Sequence, residues 1–365
     1  MVKTLNQVVH NFNSGPSILP KEVFEEASQA VIDFNNTGLS ILEIGHRTDL
    51  FQEVLNEAIS LVKELMNLDD QHEVLFLHGG ASTQFFQVPM NLLNENEFAA
   101  YTDTGIFASK AIQEARLFGH VEIVCSSKAA QYNYLPKQFT VPRTAKYLHL
   151  TSNNTIYGSQ WHDFTLFYET EVPLVADMSS DILSRQVDFN RFDLIYAGAQ
   201  KNVGAAGVNL VIVKRDMLGK TERKIPSMMD YRKHIENGSM LNTPPVFAIY
   251  VCMLTLRWLK KQGGVTAIEK INRKKSSLVY ETIDEFPLFR GQIVREDRSH
   301  MNVCFSIDDA QLEKEFLQEC KSAGMIGVKG HRSSGGFRIS LYNALTMDSV
   351  LAITSLMRDF ATRKG

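Results

Sequence analysis

Apolar residues recur at helical spacing near the start of the chain and again in its last third. In residues 51–66, positions such as Val54, Leu55, Ala58 and Val62 fall on one face of a helix. Residues 20–34 show a similar amphipathic pattern, and further helices are predicted over residues 246–261, 265–284, 312–323 and 347–363.

Between these helices, short apolar runs alternate with longer helix-like segments. Seven runs predict strands, at residues 74–77, 98–101, 121–125, 147–150, 173–176, 194–197 and 208–213. The alternation predicts an α/β fold, in which helices cover both faces of a mostly parallel seven-stranded sheet.

The last third of the chain predicts a smaller unit. Two more strands, at residues 302–307 and 337–341, alternate with the last two helices, which is typical of a small α+β domain. Gly263-Gly264 separates two predicted helices and marks the junction. We expect a large domain of residues 17–262 and a small domain that joins residues 1–16 with residues 263–365. The run RKK at residues 273–275 lies within a predicted helix and indicates a solvated face.

Composition narrows the class of protein. The 365 residues are 44% hydrophobic and 22% charged, which is ordinary for a globular protein. With 38 basic and 41 acidic residues the formal charge is -3, so neither nucleic acid nor a membrane surface is expected as a main partner. The four cysteines lack CxxC spacing, which argues against a zinc site or disulfide framework and predicts a cytoplasmic setting.

The first chemical signal is VLFLHGGASTQFF, residues 74–86. An apolar strand runs into Gly79-Gly80 and then into a helix that begins near Ala81-Ser82. The free N–H groups and the positive dipole end of such a helix can hold a phosphate. An ordinary strand-to-helix turn with a hydroxyl cap fits the same residues, so this segment alone leaves both readings open.

Two later strand ends carry an acid and an amine. Asp177 closes an apolar strand, at the edge of an open sheet where ligands gather. Gln200 and Lys201 follow the next strand in a loop of small residues, where a partly desolvated amine can form a Schiff base. Taken singly, Asp177 equally suits a helix cap, and Lys201 equally suits a lysine that reaches solvent from a strand end.

Together the three features match the anchors of pyridoxal phosphate. A lysine holds the aldehyde of that cofactor, an acid keeps its ring nitrogen protonated, and a phosphate site holds its phosphate. The combination predicts a pyridoxal-phosphate enzyme with Lys201 as its catalytic residue.

A fourth signal is the basic segment GHRSSGGFRIS, residues 330–340. His331, Arg332 and Arg338 surround a Gly-Gly turn, and arginine forks bind carboxylates and phosphates. His46-Arg47, in the loop between the first two helices, repeats the signal more weakly. A solvated basic surface is the alternative at both places.

The chain resembles the phosphoserine aminotransferases, class-V members of the fold type I group of pyridoxal-phosphate enzymes. The resemblance rests on motifs that occur in order along nearly the whole chain. They are FNSGPSILP near the start, EIGHR at 43–47, LHGGASTQF at 77–85, ADMSSDILSR at 176–185, IYAGAQKNVG at 195–204, NGSMLNTPP at 237–245 and KGHRSSGGFRISLYNA at 329–344.

For the cofactor, the resemblance implies that Lys201 forms the Schiff base, Asp177 binds the ring nitrogen and Thr155 binds the ring oxygen. Residues from both subunits of a homodimer with shared active sites would hold the phosphate: Ala81, Ser82 and Gln200 from one subunit, with Asn242 and Thr243 from the other.

For the substrates, the resemblance implies that Arg338 binds the α-carboxylate. The distal anionic group would meet His331 and Arg332 of the same subunit. His46 and Arg47 would reach that end of the substrate from the neighbouring subunit.

Two positions depart from the pattern associated with bacterial members. Ser82 stands where an arginine often follows the glycines, which puts substrate affinity in doubt. Phe107 stands where a tryptophan often stacks on the cofactor ring, and its flat apolar face is adequate for stacking.

The implied reaction is transamination between L-glutamate and 3-phosphohydroxypyruvate, which gives O-phospho-L-serine and 2-oxoglutarate in serine biosynthesis. The free amine of Lys201 would remove the α-proton as general base. A phosphorylated four-carbon substrate of vitamin B6 synthesis, with 4-phosphohydroxy-L-threonine as product, stays open. A cysteine desulfurase is disfavoured because none of the glycine-rich loops carries a cysteine, and a cofactor-binding regulator is disfavoured because it would usually append a DNA-binding module.

Overall fold

The computed structural model describes residues 8–365 and confirms the predicted α/β architecture. The helices are α1 (Lys21–Ile32), α2 (Asp49–Met66), α3 (Ala81–Leu92), α4 (Ile106–Ala115), α5 (Thr165–Tyr168), α6 (Tyr231–Glu236), α7 (Val246–Lys261), α8 (Gly264–Glu285), α9 (Ala310–Ser322) and α10 (Met347–Lys364). The strands are β1 (His10–Asn11), β2 (His72–His78), β3 (Phe98–Asp103), β4 (His120–Ser126), β5 (Leu148–Thr151), β6 (Leu174–Asp177), β7 (Leu194–Gly198), β8 (Val208–Lys214), β9 (Arg290–Gly291), β10 (Asn302–Ser306), β11 (Met325–Ile326) and β12 (Phe337–Ser340).

A seven-stranded sheet in the order β2-β8-β7-β6-β5-β3-β4 forms the centre of the molecule. Its strands are parallel except for β8, which runs antiparallel to both of its neighbours. Each of the seven apolar runs of the sequence corresponds to one of these strands, although the runs at 147–150 and 173–176 begin one residue before their strands. β4 lies at the edge, where Ile123 is 40% exposed, and is therefore less buried than its apolar sequence indicates.

Helices cover both faces of this sheet. Alternate residues of β7 show the division, since Ile195 and Ala197 belong to one apolar cluster and Leu194 and Tyr196 to another. The first cluster includes buried side chains of α1, α2 and α7, and the second includes those of α3 and α4. A sheet buried on both faces explains why its strands read as continuous apolar runs rather than alternating ones.

A separate apolar core lies in the last third of the chain. Phe305 of β10 and Phe337 of β12 stack at 4.9 Å between ring centroids, and Phe316 of α9 contacts Phe337 at 5.1 Å. Phe12, from the beginning of the chain, is fully buried in the same core. Because Phe337 faces this core, the next residue, Arg338, points to the other side of its strand.

The two cores support the proposed division into domains. Helix α8 contributes to both, with Val265 and Ile268 in the large core and Val279 and Ile283 in the small one. We propose that the large domain is residues 17–262, and that residues 263–365 form the small domain with the segment before residue 17. Residues 1–7 of that segment lie outside the described part of the chain.

None of the helices in residues 8–365 combines the length and apolar character needed to cross a bilayer.

The expectation of a solvated RKK run is wrong for Lys275. Arg273 and Lys274 are exposed, but Lys275 is fully buried, and its Nζ donates to the carbonyl oxygens of Tyr342 at 2.8 Å and Leu345 at 3.2 Å. Burial lowers the pKa of Lys275 from 10.5 to about 7. The residue joins α8 to the segment that follows β12, a long-range contact that charge pattern alone does not reveal.

We predict that Lys275 makes the stability of the fold depend on pH. Because folding lowers its pKa, the unfolded chain binds more protons between about pH 7 and pH 10.5, so stability rises with pH across that window. The measurement is urea unfolding of wild type and Lys275→Met at pH 7, 8, 9 and 10. The free energy of unfolding of wild type minus that of Lys275→Met should rise by roughly 3 kcal/mol from pH 7 to pH 10. Lys274→Met, at the exposed neighbour, should parallel wild type. A Lys275→Met curve that also parallels wild type contradicts the assignment.

Candidate active site

A cavity of about 260 Å³ lies where the loops after β3, β5, β6 and β7 meet. These strands are parallel, so their carboxyl ends come together at one edge of the sheet. Each strand end contributes to the lining: Phe107 after β3, Thr155 after β5, Asp177 at the end of β6 and Lys201 after β7.

Lys201 is a buried amine, only 9% exposed. Its Nζ donates to Thr155 Oγ1 at 2.7 Å and lies 5.8 Å from the centroid of the Phe107 ring. Burial lowers the pKa of Lys201 to about 8; the charge of Asp177 opposes that shift, and the charge of Arg338 adds to it. At pH 7 roughly a tenth of this amine is then unprotonated, far more than for an ordinary lysine, which suits a nucleophile and a base.

Asp177 is a buried acid in the same cavity, 5% exposed. Its Oδ1 accepts from the backbone N–H and the hydroxyl of Ser179, at 2.9 Å and 2.6 Å. Burial raises the pKa of Asp177, while the Ser179 hydrogen bonds and the Lys201 charge oppose the rise. No hydrogen bond from residues 8–365 reaches Oδ2, so this oxygen can accept from a donor in the cavity.

The N-terminus of α3 opens into the cavity. Gly79 adopts φ +100°, and a Cβ there would clash with Thr83 Oγ1, so the turn before α3 requires glycine. Gly80 precedes the helix and no side chain caps it. Gly80, Ala81 and Ser82 line the cavity, where the free N–H groups of the first turn can bind an anion.

The beginning of the chain closes the cavity from another side. Arg338 donates through Nη1 to the carbonyl of Thr155 at 3.1 Å and through Nη2 to Ser14 Oγ at 2.7 Å. Ser17 Oγ donates to the carbonyl of Lys201 at 2.7 Å, which ties this segment to the lysine loop. Gly15 lies between these contacts. A Cβ added at Gly15 would lie 3.5 Å from Lys201 Cγ.

Nine of the residues singled out from the sequence line this cavity: Ala81, Ser82, Phe107, Thr155, Asp177, Gln200, Lys201, His331 and Arg338. Sequence reasoning did not identify the small polar residues that complete the lining, which are Ser14, Gly15, Thr151, Asn153, Ser179 and Ser180. For Ser14 and Gly15 the motif FNSGPSILP was a usable signal. The others carry no distinctive chemistry until the fold brings them together.

The other five predicted residues lie outside the cavity. Arg332 is exposed beside His331. His46 and Thr243 line a second concavity of about 610 Å³, Arg47 is exposed next to His46, and Asn242 Nδ2 lies 3.3 Å from His78 Nε2. We call the 260 Å³ cavity that Lys201 and Asp177 line the main cavity. The chain therefore places the four residues expected from a neighbouring subunit away from its own main cavity.

The groups in the main cavity fit pyridoxal phosphate. The cavity offers an amine of lowered pKa, an acid with a free oxygen, the flat ring of Phe107 and an uncapped helix N-terminus. Two buried polar atoms on lining residues, Thr151 Oγ1 and Arg338 Nε, have no partner among residues 8–365. Buried polar groups are usually hydrogen-bonded, so these atoms indicate that a polar ligand belongs in this space.

The cysteines do not provide an activated thiol. Cys125, Cys252, Cys304 and Cys320 are all free, and burial raises the pKa of each to about 12. Cysteine chemistry requires the thiolate, which these pKa values suppress near neutral pH. The site therefore does not suit a desulfurase.

Comparisons with known proteins agree with this geometry. The class-V aminotransferase family matches residues 9–353. The phosphoserine aminotransferase of Flavobacterium psychrophilum is 52% identical over 97% of this chain and 99% of its own length, and that of Flavobacterium johnsoniae is 53% identical over 96% and 98%.

Comparison with solved structures also finds similarity to phosphoserine aminotransferases. The phosphoserine aminotransferase of Bacillus circulans subsp. alkalophilus superposes with a TM-score of 0.95 at 43% identity, covering 98% of this chain and 99% of that one. A PLP-bound phosphoserine aminotransferase from Trichomonas vaginalis superposes with a TM-score of 0.91 at 34% identity, covering 96% and 100%.

We predict that Lys201 of the cofactor-free protein is acylated with a midpoint near pH 8, because burial lowers its pKa. Pulse labelling with acetic anhydride across a pH series, read by mass spectrometry of the peptides, measures this midpoint. Labelling of exposed Lys314 in the same digests controls for the amount and activity of the reagent. Asp177→Asn should lower the Lys201 midpoint further, since the Asp177 charge raises that pKa. A Lys201 midpoint near 10.5, the ordinary value for a lysine, contradicts the prediction.

Proposed function

The chain belongs to the class-V aminotransferases and, among them, to the phosphoserine aminotransferases, and we propose that the residues of its main cavity perform the transfer. The reaction depends on pyridoxal phosphate and moves the amino group of L-glutamate to 3-phosphohydroxypyruvate, giving O-phospho-L-serine and 2-oxoglutarate in serine biosynthesis. The observation that carries the residue assignment is the presence of buried Lys201 and buried Asp177 in one cavity.

When bound, pyridoxal phosphate supplies an electron sink that stabilises a carbanion at the substrate Cα. Lys201 would bind its aldehyde carbon, Asp177 its ring nitrogen and Thr155 its ring oxygen, while Phe107 would stack on the ring. Its phosphate would meet the N-terminus of α3, through Ala81, Ser82 and the nearby side chain of Gln200.

Lys201 is also the residue that we propose moves the proton. With a pKa near 8, its amine can accept a proton from the substrate Cα and return it later, as general base and then acid. Thr155 Oγ1 holds Nζ in the cavity by accepting its hydrogen bond. Burial of this amine keeps bulk water away from the proton in transit.

Arg338 and the cations near it would bind the anionic groups of the substrates. The α-carboxylate is common to both amino acids, and we assign it to the Arg338 guanidinium, whose Nε has no partner among residues 8–365. His331, at the cavity wall, and exposed Arg332 would meet the distal carboxylate or phosphate. Exposed side chains can adjust to groups of different size, which suits a site that serves two substrates in turn.

We also propose that the protein is a cytoplasmic homodimer with shared active sites. His46, Arg47, Asn242 and Thr243 would complete the partner's site, which is consistent with their position outside the main cavity of their own chain. Exposed Leu42, 64% accessible, lines the concavity beside His46 and Thr243, and burying it against a second copy would be favourable. The four free cysteines fit a reducing cytoplasm.

The proposed function predicts that purified protein with pyridoxal phosphate forms glutamate from O-phosphoserine and 2-oxoglutarate. Lys201→Ala should lower that rate more than about a thousandfold, because it removes both the covalent anchor and the base. The exposed-site variant Lys314→Ala should keep the wild-type rate. Normal turnover by Lys201→Ala would refute the role of this lysine, and an inactive wild-type protein would refute the function.

We expect Arg47→Ala to lose most of its activity, because it removes a cation proposed to bind the distal anionic group of the substrate. Shared sites then predict that Lys201→Ala and Arg47→Ala restore each other. A heterodimer of Lys201→Ala with Arg47→Ala contains one site with both changes and one site with neither. Equal mixing with free subunit exchange should therefore recover about one quarter of the wild-type rate per subunit. If Arg47 acted within its own chain, every site would carry one change and the mixture would stay as inactive as its parents.

A further inference from the structure

We propose that Lys110 is a specificity-determining residue whose ammonium binds the distal phosphate of the phosphorylated substrate at the mouth of the cavity. This inference rests on the proposed function, since it assigns a further residue to the same site. Lys110 did not stand out in the sequence, where it is one of many lysines on helical segments.

The position of Lys110 follows from helix α4. Phe107 lies in the first turn of α4 and lines the cavity, and Lys110 follows one turn later on the same side of the helix. Lys110 Nζ lies 5.7 Å from the centroid of the Phe107 ring, and Lys201 Nζ lies 5.8 Å from the same centroid. Lys110 itself is exposed and does not line the cavity, whereas Lys201 is buried in it, so we infer that the Lys110 ammonium lies on the solvent side of the Phe107 ring.

Charges of a single sign surround this opening. The charges of Arg338, Arg332 and Lys110 each lower the pKa of His331, so all three lie close to it. Among residues 8–365, no ion pair joins any of these four side chains to a carboxylate. Arg338, Arg332 and Lys110 are thus three cations without a carboxylate partner in this part of the chain, and such cations attract a doubly charged anion more strongly than a singly charged one.

Few permanently charged side chains of the same subunit remain to bind the distal phosphate of the substrate. Arg338 is assigned to the α-carboxylate, and burial together with its cationic neighbours favours neutral His331. Within the subunit, the permanent charges near the distal group are then those of Arg332 and Lys110.

The test compares ligand binding to the holoenzyme, using two compounds that lack the amino group and so cannot react. These are 3-phosphonooxypropanoate, which ends in a phosphate, and glutarate, which ends in a carboxylate. By calorimetry, Lys110→Met should weaken binding of the phosphate compound about fivefold to tenfold and that of glutarate about twofold or less. Met keeps an apolar stem over Phe107, so the change isolates the charge.

Two further variants decide between a charge effect and a packing effect. Lys110→Arg should bind both compounds as wild type does, and the exposed-site control Lys274→Met should do the same. In steady-state assays, Lys110→Met should raise KM for phosphoserine more than KM for glutamate, with little change in kcat.

The proposal is overturned if Lys110→Met weakens both compounds equally or weakens neither. Equal weakening would mean that Lys110 only supports the Phe107 ring. These outcomes are distinct from a failure of the proposed function, which would appear as a wild-type protein without phosphoserine transamination.

Discussion

The site depends on burying an amine and an acid in one cavity. Lys201 and Asp177 are each more than nine-tenths buried, and desolvation favours the neutral form of both. Each charge opposes that shift in the other, and Ser179 and Thr155 supply the hydrogen bonds that both need. The balance leaves an amine with a pKa near 8 in the same cavity as an acid with a free oxygen, an arrangement that stability alone does not require.

The sheet makes this arrangement possible. Parallel strands buried on both faces align their carboxyl ends, so residues far apart in sequence reach one cavity without long connections. The small core fixes the other wall, because Phe337 faces that core and thereby turns Arg338 towards the cavity. The segment with Ser14 and Ser17 joins the two walls through Arg338 and the lysine loop.

Much of the fold and of the candidate site could be predicted from the sequence. The residues that could not be predicted share one physical reason. Strands, helices and the residues Asp177, Lys201 and Arg338 are encoded by local pattern, since apolar runs and strand-end polar residues are visible without the fold. Lys275, Lys110 and Ser14 were misjudged or overlooked because their significance comes from contacts between distant segments. Lys275 looked solvated among basic neighbours, yet it is buried against carbonyls about 70 residues away along the chain.

Lys201 and Asp177 must hold the same cofactor ring for the proposed catalysis, and a crystal structure of the protein with pyridoxal phosphate tests that most directly. It should show continuous density from Lys201 Nζ to the cofactor, with the ring nitrogen within hydrogen-bonding distance of Asp177 Oδ2 and the ring stacked on Phe107. A cofactor bound elsewhere, or bound to Lys201 with its ring nitrogen away from Asp177, would contradict the account.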